Sequence, residues 1–340
     1  MKQIAIFESP LARTPLVPLS GNYGTNCLYI KRDDMIPFSF GGNKARKAAE
    51  FYKEIKNSDI DVIMTYGSNS SNHCRIIANM AAAMGLSCHI ISPEENREIL
   101  YNTKLVEQFG AVIETCPVTR VSDTIANRIR AYESEGRKPY FITGGGHGNP
   151  GTESYVKAYQ EIESWEKENE TYFDYIFHAS GTGATQAGLV CGQLLAWGGV
   201  KNIATGAGKR ESFTDKEMEE QNERKRKQIV GISIAREEKR GREVVRDSIK
   251  EYLGERFDSL YSEEALVFTD QYRLGGYGNY TDDIKAVIDQ VMEKEGIPMD
   301  TTYVGKAFCG MLRFLEDNRI ENKKVLFIHT GGTPLYFDKL

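Results

Sequence analysis

Short apolar segments rich in β-branched residues alternate along the chain with longer stretches of helical periodicity. The predicted strands are 61–66, 87–92, 111–115, 139–143, 174–179, 228–234 and 324–329. The predicted helices are 44–57, 72–84, 95–109, 120–135, 152–168, 184–197, 241–254, 281–295 and 304–318. Most strand segments are apolar throughout, which is typical of parallel strands with both faces covered. The alternation predicts an α/β fold with open twisted sheets and helices on both faces.

The chain has 340 residues, enough for about two domains. Residues 50–150 contain four strand–helix alternations of their own and are predicted to form a small α/β domain. Residues 1–49 and 151–340 then form a large domain. Segment 205–227 is crowded with charge and has few large apolar side chains, which favours a solvated loop or helix, with a lid or partner-binding segment as the alternative.

Charge and composition exclude several classes of protein. The net charge of -5 leaves no basic surplus for binding nucleic acid. No apolar run reaches the roughly 18 residues of a membrane span, and the N-terminus lacks the features of a signal peptide. Six cysteines are scattered without a CxxC pair, which favours reduced thiols and a cytoplasmic location.

Four glycine-rich turns follow predicted strands, at 66–73, 143–149, 180–188 and 329–334. In an open α/β sheet, ligands bind where strands end. The turn SGTGATQAG at 180–188 is the sharpest signal, because its amides and the hydroxyls of Thr182 and Thr185 suit a monophosphate.

Two other interpretations of 180–188 stay open at this point: a dinucleotide fingerprint and a purely structural tight turn. Gln186 occupies the third glycine position of GxGxxG, and no acid occurs between 189 and 210 to bind a ribose. Both departures weaken the dinucleotide interpretation.

Lys44 follows the double glycine Gly41-Gly42 and opens a predicted helix. Most lysines in such a position are solvated surface charges. The positive potential at a helix N-terminus, however, favours the neutral amine, which is the form that attacks a carbonyl. Lys44 is therefore a candidate nucleophile.

Five motifs occur together in a fixed order: RDD…GGNKARK, GSNSSNHCR, SGTGATQAGL, TTYVGKAFCG and HTGGTP. This set resembles the D-cysteine desulfhydrase and 1-aminocyclopropane-1-carboxylate deaminase family, whose members are fold-type-II, tryptophan synthase β-like enzymes. The resemblance runs from about residue 8 to residue 336, apart from the charged segment. It implies pyridoxal 5′-phosphate as cofactor, a small amino acid as substrate, and a homodimer.

The resemblance also implies how the cofactor is held. Lys44 matches the family's Schiff-base lysine, which also handles the substrate's α-proton. Asn72 matches the asparagine that hydrogen-bonds the cofactor's phenolic oxygen, and Thr330 lies where the family places groups around the pyridine nitrogen. The residues that match the phosphate cup are Gly181, Thr182, Gly183, Ala184 and Thr185.

The remaining implied roles concern the substrate. Ser71 and His73, with Asn72 between them, match positions that receive the substrate carboxylate. Tyr303 matches an active-site tyrosine and Tyr277 a second one. Hydroxyls, an imidazole and the amides at a helix N-terminus all suit an anion.

Simpler structural roles compete with these assignments. Ser71 and Asn72 also suit capping of the helix that begins there. Cys74 fits a packed small residue better than a nucleophile. His147, His178 and His329 lack the spacing of metal ligands, so no metal site is predicted.

Two departures from the family pattern affect the expected reaction. Val304 stands where the deaminase branch has a glutamate facing the pyridine nitrogen, which argues against cyclopropane ring opening. The turn reads Gly67-Ser68-Asn69 where the family usually has two glycines followed by a glutamine.

We therefore expect a lyase that removes the α-proton, eliminates a β-substituent and yields an oxoacid and ammonia, with D-cysteine as leading substrate. The alternatives are a β-replacement synthase, a racemase or 1-aminocyclopropane-1-carboxylate deaminase, and a protein that binds cofactor or amino acid without turnover.

Overall fold

The computed structural model of the chain describes residues 1–21, 23–68, 71–94, 99–204 and 226–338, apart from the side chains of 198–204. Most of the charged segment 205–227 lies outside these residues, so its interpretation stays a prediction. None of the described helices is both long and apolar enough to cross a membrane.

Helices and strands alternate through most of the described residues, as the apolar pattern predicts. The strands are β1 (Leu16–Pro18), β2 (Cys27–Arg32), β3 (Val62–Tyr66), β4 (Ser87–Pro93), β5 (Val112–Cys116), β6 (Pro139–Ile142), β7 (Tyr175–Ser180), β8 (Gln228–Ser233), β9 (Val267–Thr269) and β10 (Lys324–His329). The helices are α1 (Asn43–Ile55), α2 (Asn72–Met84), α3 (Tyr101–Gln108), α4 (Val121–Ser134), α5 (Asn149–Glu168), α6 (Ala184–Ala204), α7 (Glu238–Leu253), α8 (Phe257–Leu260), α9 (Asp282–Glu295), α10 (Val304–Asp317) and α11 (Thr333–Phe337).

The strands form two sheets. The first has six strands in the order β1-β2-β10-β7-β8-β9, with β1 antiparallel to β2 and every other neighbouring pair parallel. The second has four parallel strands in the order β5-β4-β3-β6. This arrangement confirms the predicted α/β class.

The second sheet falls wholly within the predicted small domain, 50–150, while the first is built from strands on both sides of it in the sequence. The division into two domains at those boundaries stays a prediction.

Three strands were not predicted, and one predicted strand is more exposed than expected. The short strands β1 and β9, and β2 with its charged end, lack the apolar run of the others. Strand β5 lies at an edge of its sheet, where Val112 is 55% exposed. Adjacent strand residues point to opposite faces, and both Val112 and Ile113 are exposed, so neither face of β5 is covered as most strands were expected to be.

Alternate residues of the central strands pack into opposite layers, as the two-residue repeat of a strand requires. On β10, Leu326 and Ile328 join the core formed with α5, α6 and α7. Val325 and Phe327 join the core formed with α9 and α10 on the other face. A third core packs α1 and α2 against the second sheet.

A buried ionic cluster ties α1 to β2 and α5. Arg46 of α1 donates to both carboxylate oxygens of Asp33, at 2.8 and 3.1 Å, and to Glu161 of α5 at 2.5 Å. Lys31 of β2 donates to Glu161 at 2.6 Å, and Tyr155 donates to Asp33 at 2.7 Å. Since every charge here has an opposite partner, the cluster fixes the start of α1 against the six-stranded sheet.

We expect Asp33→Ala to lower the free energy of unfolding by about 3–5 kcal/mol, because it leaves Arg46 buried without its main partner. Urea denaturation measures this loss. Asp59→Ala, which removes an exposed ion pair with Lys138, is the control and should have little effect. Equal stability of the two variants would contradict the structural role of Asp33.

The same carboxyl group should make stability depend on acid. Burial alone would raise the pKa of Asp33, but Arg46 and Lys31 hold it below its ordinary value. The stabilisation is therefore complete above about pH 4, the ordinary value of an unfolded aspartate, and is lost as the pH falls through the lowered pKa.

Candidate active site

A cavity of about 570 Å³ lies where strands of both sheets end, and we call it the central cavity. Its lining includes residues that follow β3, β4 and β6 of the second sheet and β7, β8 and β10 of the first. Of the predicted site residues, these line it: Lys44, Ser71, Asn72, His73, Gly181, Thr182, Gly183, Thr185, Tyr277, Tyr303 and Thr330. Ala184 does not line it but is buried at the start of α6.

Lys44 reaches the cavity from the first turn of α1. The preceding Gly42 has a φ of 92° and approaches the final turn so closely that a Cβ there would lie 2.6 Å from the carbonyl oxygen of Thr330. The N–H of Asn43 donates to that same carbonyl at 3.0 Å. The double glycine is thus required for α1 and the turn after β10 to meet.

The Lys44 amine is poised to lose its proton. Burial lowers its pKa to about 8, and among the described residues its Nζ has no hydrogen-bond or ion-pair partner. The sequence suggested that the helix N-terminus favours the neutral amine, whereas the structure attributes the lowered pKa to loss of solvation.

The turn between β7 and α6 forms a cup of backbone amides. Gly183 has a φ of 100°, and α6 begins at the next residue, so the first N–H groups of the helix have no helical acceptor. The carbonyl of Gly181 accepts a hydrogen bond from Arg236, and that of Thr182 accepts one from His147 at 3.2 Å. With these carbonyls engaged elsewhere, the cup presents donors and suits an anion.

Lys47 is a cation beside this site that sequence reasoning missed. It is buried one turn after Lys44, and its Nζ donates to the carbonyl of Gly145 at 3.1 Å. Burial first, and then the nearby Lys44, hold its pKa well below the ordinary value. No aspartate or glutamate occurs among the described residues that line the cavity. Lys47 lies three residues after Lys44 in the same GGNKARK motif, and this position was the signal in the sequence that could have identified it.

The start of α2 forms another wall, although residues 69 and 70 of its turn lie outside the described residues. Ser71 caps the helix by accepting the N–H of Cys74 at 3.2 Å, so the capping role considered from sequence is correct for this residue. Cys74 is buried, and burial raises the pKa of its thiol to about 12, as expected of a packed residue.

The His73 ring is turned toward β3. Its Nε2 lies 2.8 Å from the Thr65 hydroxyl, which itself donates to the Ile142 carbonyl. The hydroxyl has one proton, so the network assigns the donor role to Nε2 and leaves Nδ1 as an acceptor. Burial, and then Lys44 and Lys47, hold the His73 pKa well below its ordinary value, so the ring is neutral. A carboxylate at this wall would therefore meet the backbone N–H of His73 rather than its ring.

Two tyrosines meet across the cavity. The hydroxyls of Tyr277 and Tyr303 lie 2.5 Å apart, and Tyr277 is also 3.5 Å from the Ser68 hydroxyl. Burial and then Tyr277 raise the pKa of Tyr303 well above its ordinary value, so Tyr303 keeps its proton at neutral pH. The pair can donate a proton to a group held between it and Lys44.

Asp300 and Lys306 hold this pair in place. The carboxylate of Asp300 accepts the N–H of Tyr303 at 2.6 Å, at the start of α10. Lys306, one turn further along the helix, is buried and donates to the carbonyls of Arg273 and Gly276 at 3.2 and 2.8 Å. Lys306 thereby ties the loop that carries Tyr277 to the helix that follows Tyr303. Neither residue was singled out from sequence.

The three histidines considered as metal ligands each contact a different backbone carbonyl. His147 donates to Thr182, His178 to Ala179 and His329 to Pro298, in each case to a backbone carbonyl. Within the described parts of the chain, no group of three or more His, Cys, Asp or Glu side chains could hold a metal ion.

Comparison with known proteins accounts for this combination of a buried lysine and an anion cup. The family described as pyridoxal-phosphate dependent enzyme matches residues 8–331. The chain belongs to this family. It is therefore a pyridoxal-phosphate-dependent enzyme, and the residues present suit that cofactor: a desolvated amine, an amide cup for the phosphate, and a lining without carboxylates.

Individual relatives are similar over nearly the whole chain. A D-cysteine desulfhydrase from Serratia proteamaculans is 30% identical over 95% of this chain and 92% of its own length. Another from Yersinia enterocolitica is 29% identical over 95% of this chain and 92% of its own. Both agree with the family inferred from the five motifs.

Solved structures agree with the fold. The crystal structure of an ACC deaminase homologue has a TM-score of 0.77 and 30% identity, covering 96% of this chain and 93% of its own. Cysteine synthase from Entamoeba histolytica has a TM-score of 0.61 and 18% identity, covering 98% of this chain and 88% of its own. The second likeness concerns the fold alone, which is the predicted fold type II.

We expect Lys306→Met to loosen the loop that carries Tyr277, because two carbonyls lose their shared donor. Amide hydrogen exchange over residues 274–278 should become about tenfold faster, the effect of losing about one hydrogen bond to a charged group. Lys285→Met, at an exposed lysine of α9, is the control. Unchanged exchange in the Lys306 variant would show that the loop is held by other contacts.

Proposed function

We propose that this enzyme removes ammonia from a small β-substituted amino acid, with D-cysteine as the foremost substrate, by eliminating the substituent at Cβ. The observation that carries the proposal is the desolvated Lys44 amine in one cavity with the amide cup and the Tyr277–Tyr303 pair. The names of the relatives, which include D-cysteine desulfhydrases, support the choice of substrate.

In this proposal the cofactor is bound covalently by Lys44 and through its phosphate by the amides of 181–185. Lys47 places a buried amine beside the cup, and a phosphate bound there would favour the protonated form of that amine. Thr330 offers a hydroxyl to the pyridine nitrogen. These roles agree with the burial and hydrogen bonding of each residue.

The substrate carboxylate is proposed to bind at the start of α2, where Ser71 has a hydroxyl proton to donate and the helix N-terminus is positive. Since the His73 ring is neutral with its Nε2 proton engaged, its backbone amide is the better donor for this anion.

When bound, the cofactor withdraws electrons from the substrate's Cα and so makes its proton removable. Lys44 Nζ, once free, accepts that proton. The tyrosine pair donates a proton to the group that leaves Cβ, which for D-cysteine is the sulfur. With one water consumed, D-cysteine gives pyruvate, ammonia and hydrogen sulfide.

A second candidate reaction is ring opening of 1-aminocyclopropane-1-carboxylate, favoured by the likeness to the ACC deaminase homologue. The buried Val304 argues against it, because this side chain cannot hold the pyridine nitrogen protonated. A β-replacement synthase or racemase would share Lys44 and the cup. Binding without turnover is disfavoured by the presence of both the buried amine and the proton-donating pair.

Three further proposals concern the whole molecule. All six cysteines are free, five of them buried, which supports a reducing cytoplasmic location. A homodimer is proposed on the resemblance to the family. The division at residues 50 and 150 is proposed on the strand–helix alternations within that range, and the second sheet's extent supports it.

Lys44→Ala should abolish the visible absorbance of the bound cofactor and reduce ammonia release to background, since the variant has no amine to bind the cofactor covalently or to move the α-proton. Absorbance spectra and an ammonia assay measure both effects. Lys53→Ala, at an exposed lysine of the same helix, is the control. Retention of colour and activity in the Lys44 variant would refute the proposal.

D-Cysteine should yield pyruvate, ammonia and sulfide in equal amounts in a panel of D- and L-amino acids that includes 1-aminocyclopropane-1-carboxylate. Sulfide separates elimination from ring opening, which releases none. Added thiols should leave the pyruvate yield unchanged. A fall in pyruvate with a new thioether product would instead indicate β-replacement.

A further inference from the structure

The amide of Asn72 is held in one orientation by two donors. Its Oδ1 accepts from Asn102 Nδ2 at 3.0 Å and from a guanidinium nitrogen of Arg75 at 3.3 Å. A guanidinium can only donate, so the atom facing Arg75 must be the oxygen of Asn72, and Asn102 must likewise present its NH₂ group. The usual ambiguity between the oxygen and nitrogen of an amide does not arise here.

This orientation determines what Asn72 offers to a ligand. Asn72 lines the central cavity, and its Nδ2 makes no hydrogen bond within the described ranges of the chain. With Oδ1 engaged on the protein side, Nδ2 is the polar group left for the cavity. Asn72 is therefore a donor and not an acceptor.

Both partners are fully buried and rigidly placed. Asn102 lies in the first turn of α3, whose first N–H, that of Tyr101, donates to Asp338 at 2.8 Å. Arg75 also donates to the carbonyl of Ser39, and its guanidinium lies 5.5 Å from the centre of the Phe40 ring.

The Arg75 contacts connect two parts of the site. Ser39 and Phe40, with φ of 48° and 61°, begin a run of positive φ that ends at Gly42, two residues before Lys44. Burial lowers the pKa of Arg75 to about 9, so the guanidinium is still a cation at neutral pH although its solvation is lost. Arg75 thus connects the amide of Asn72 with the segment that precedes Lys44.

We propose that Asn102, together with Arg75, is a positioning residue that fixes Asn72 as a hydrogen-bond donor to the phenolic oxygen of the cofactor. The inference rests on the proposed function, in which Asn72 faces that oxygen. A donor at this oxygen favours its ionised form, whereas a reversed amide would present an oxygen and disfavour it. Asn102 would then influence the cofactor from α3, a helix with no described residue in the lining of the cavity.

The test uses Asn102→Leu in the full-length protein, which keeps the branched shape and the number of side-chain heavy atoms but removes the donor. We expect the dissociation constant for pyridoxal phosphate to rise about tenfold, the effect of roughly one hydrogen bond. Part of the cofactor's visible absorbance should move to the near ultraviolet. Asn102→Asp keeps the shape but presents acceptors, so it should reverse the Asn72 amide and produce at least as large a change.

The control and the double variant separate positioning from general damage. Val106→Ala removes buried packing from the same helix, so it should lower thermal stability and leave the spectrum unchanged. In an Asn72→Ala background, Asn102→Leu should change cofactor affinity less than about twofold, because its partner is already absent.

The outcomes distinguish the inference from the proposed function beneath it. A normal spectrum and affinity in both Asn102 variants, beside an altered Asn72→Ala, would overturn the inference alone. An equal effect of Asn102→Leu with and without Asn72 would also overturn it. A normal spectrum and affinity in Asn72→Ala would overturn the proposed contact of Asn72 with the cofactor, and with it the inference.

Discussion

The buried pairing of Arg46 with Asp33 is the constraint on which the site depends. Arg46 lies two residues after Lys44, so any shift of α1 that moved the amine would also separate a buried guanidinium from its carboxylates. Breaking such a pair costs far more than its formation contributes, which makes the position of α1 nearly all-or-none. Gly42 completes the constraint, because only a residue without Cβ fits against the turn at Thr330.

With α1 fixed in this way, the positive character of the cavity comes from basic side chains that have no carboxylate among the described lining residues. Lys44 and Arg236 line the cavity, Lys47 is buried one turn after Lys44, and the described lining contributes no carboxylate. Positive charges that are shielded from solvent and have no carboxylate beside them are unfavourable in an empty site and become favourable when an anion enters. The absence of a carboxylate beside Lys44 therefore favours its neutral amine and also favours binding of a phosphate at the cup.

Local sequence predicted what local physics determines. The apolar runs of β3, β4, β7, β8 and β10 were predicted within a residue or two, and GGNKARK and SGTGATQAG indicated Lys44 and the cup. Strand β2 was missed because Lys31 and Arg32 interrupt its apolar run. Their ion-pair partners, Glu161 and Asp34, are evident only in the fold. Asn102 and Lys306 were missed for the same reason, since each acts on residues far away in the sequence or on a loop without a motif of its own.

In the proposed orientation of the cofactor, the pyridine nitrogen faces the turn at Thr330, and the groups near this turn influence which reaction is favoured. Asp300 lies against Gly332 in the turn after Thr330, and its oxygens already accept the N–H groups of Tyr303, Thr302 and Val304. Burial raises its pKa to about 6, although those N–H groups oppose the rise, so its ionised form depends on them. Asp300 thus stabilises the start of α10, and it is not among the residues that line the central cavity. In the proposed orientation, a cofactor without a carboxylate at its ring nitrogen would be a weaker electron sink, which suffices where a good leaving group departs from Cβ and is least adequate for opening a carbon ring.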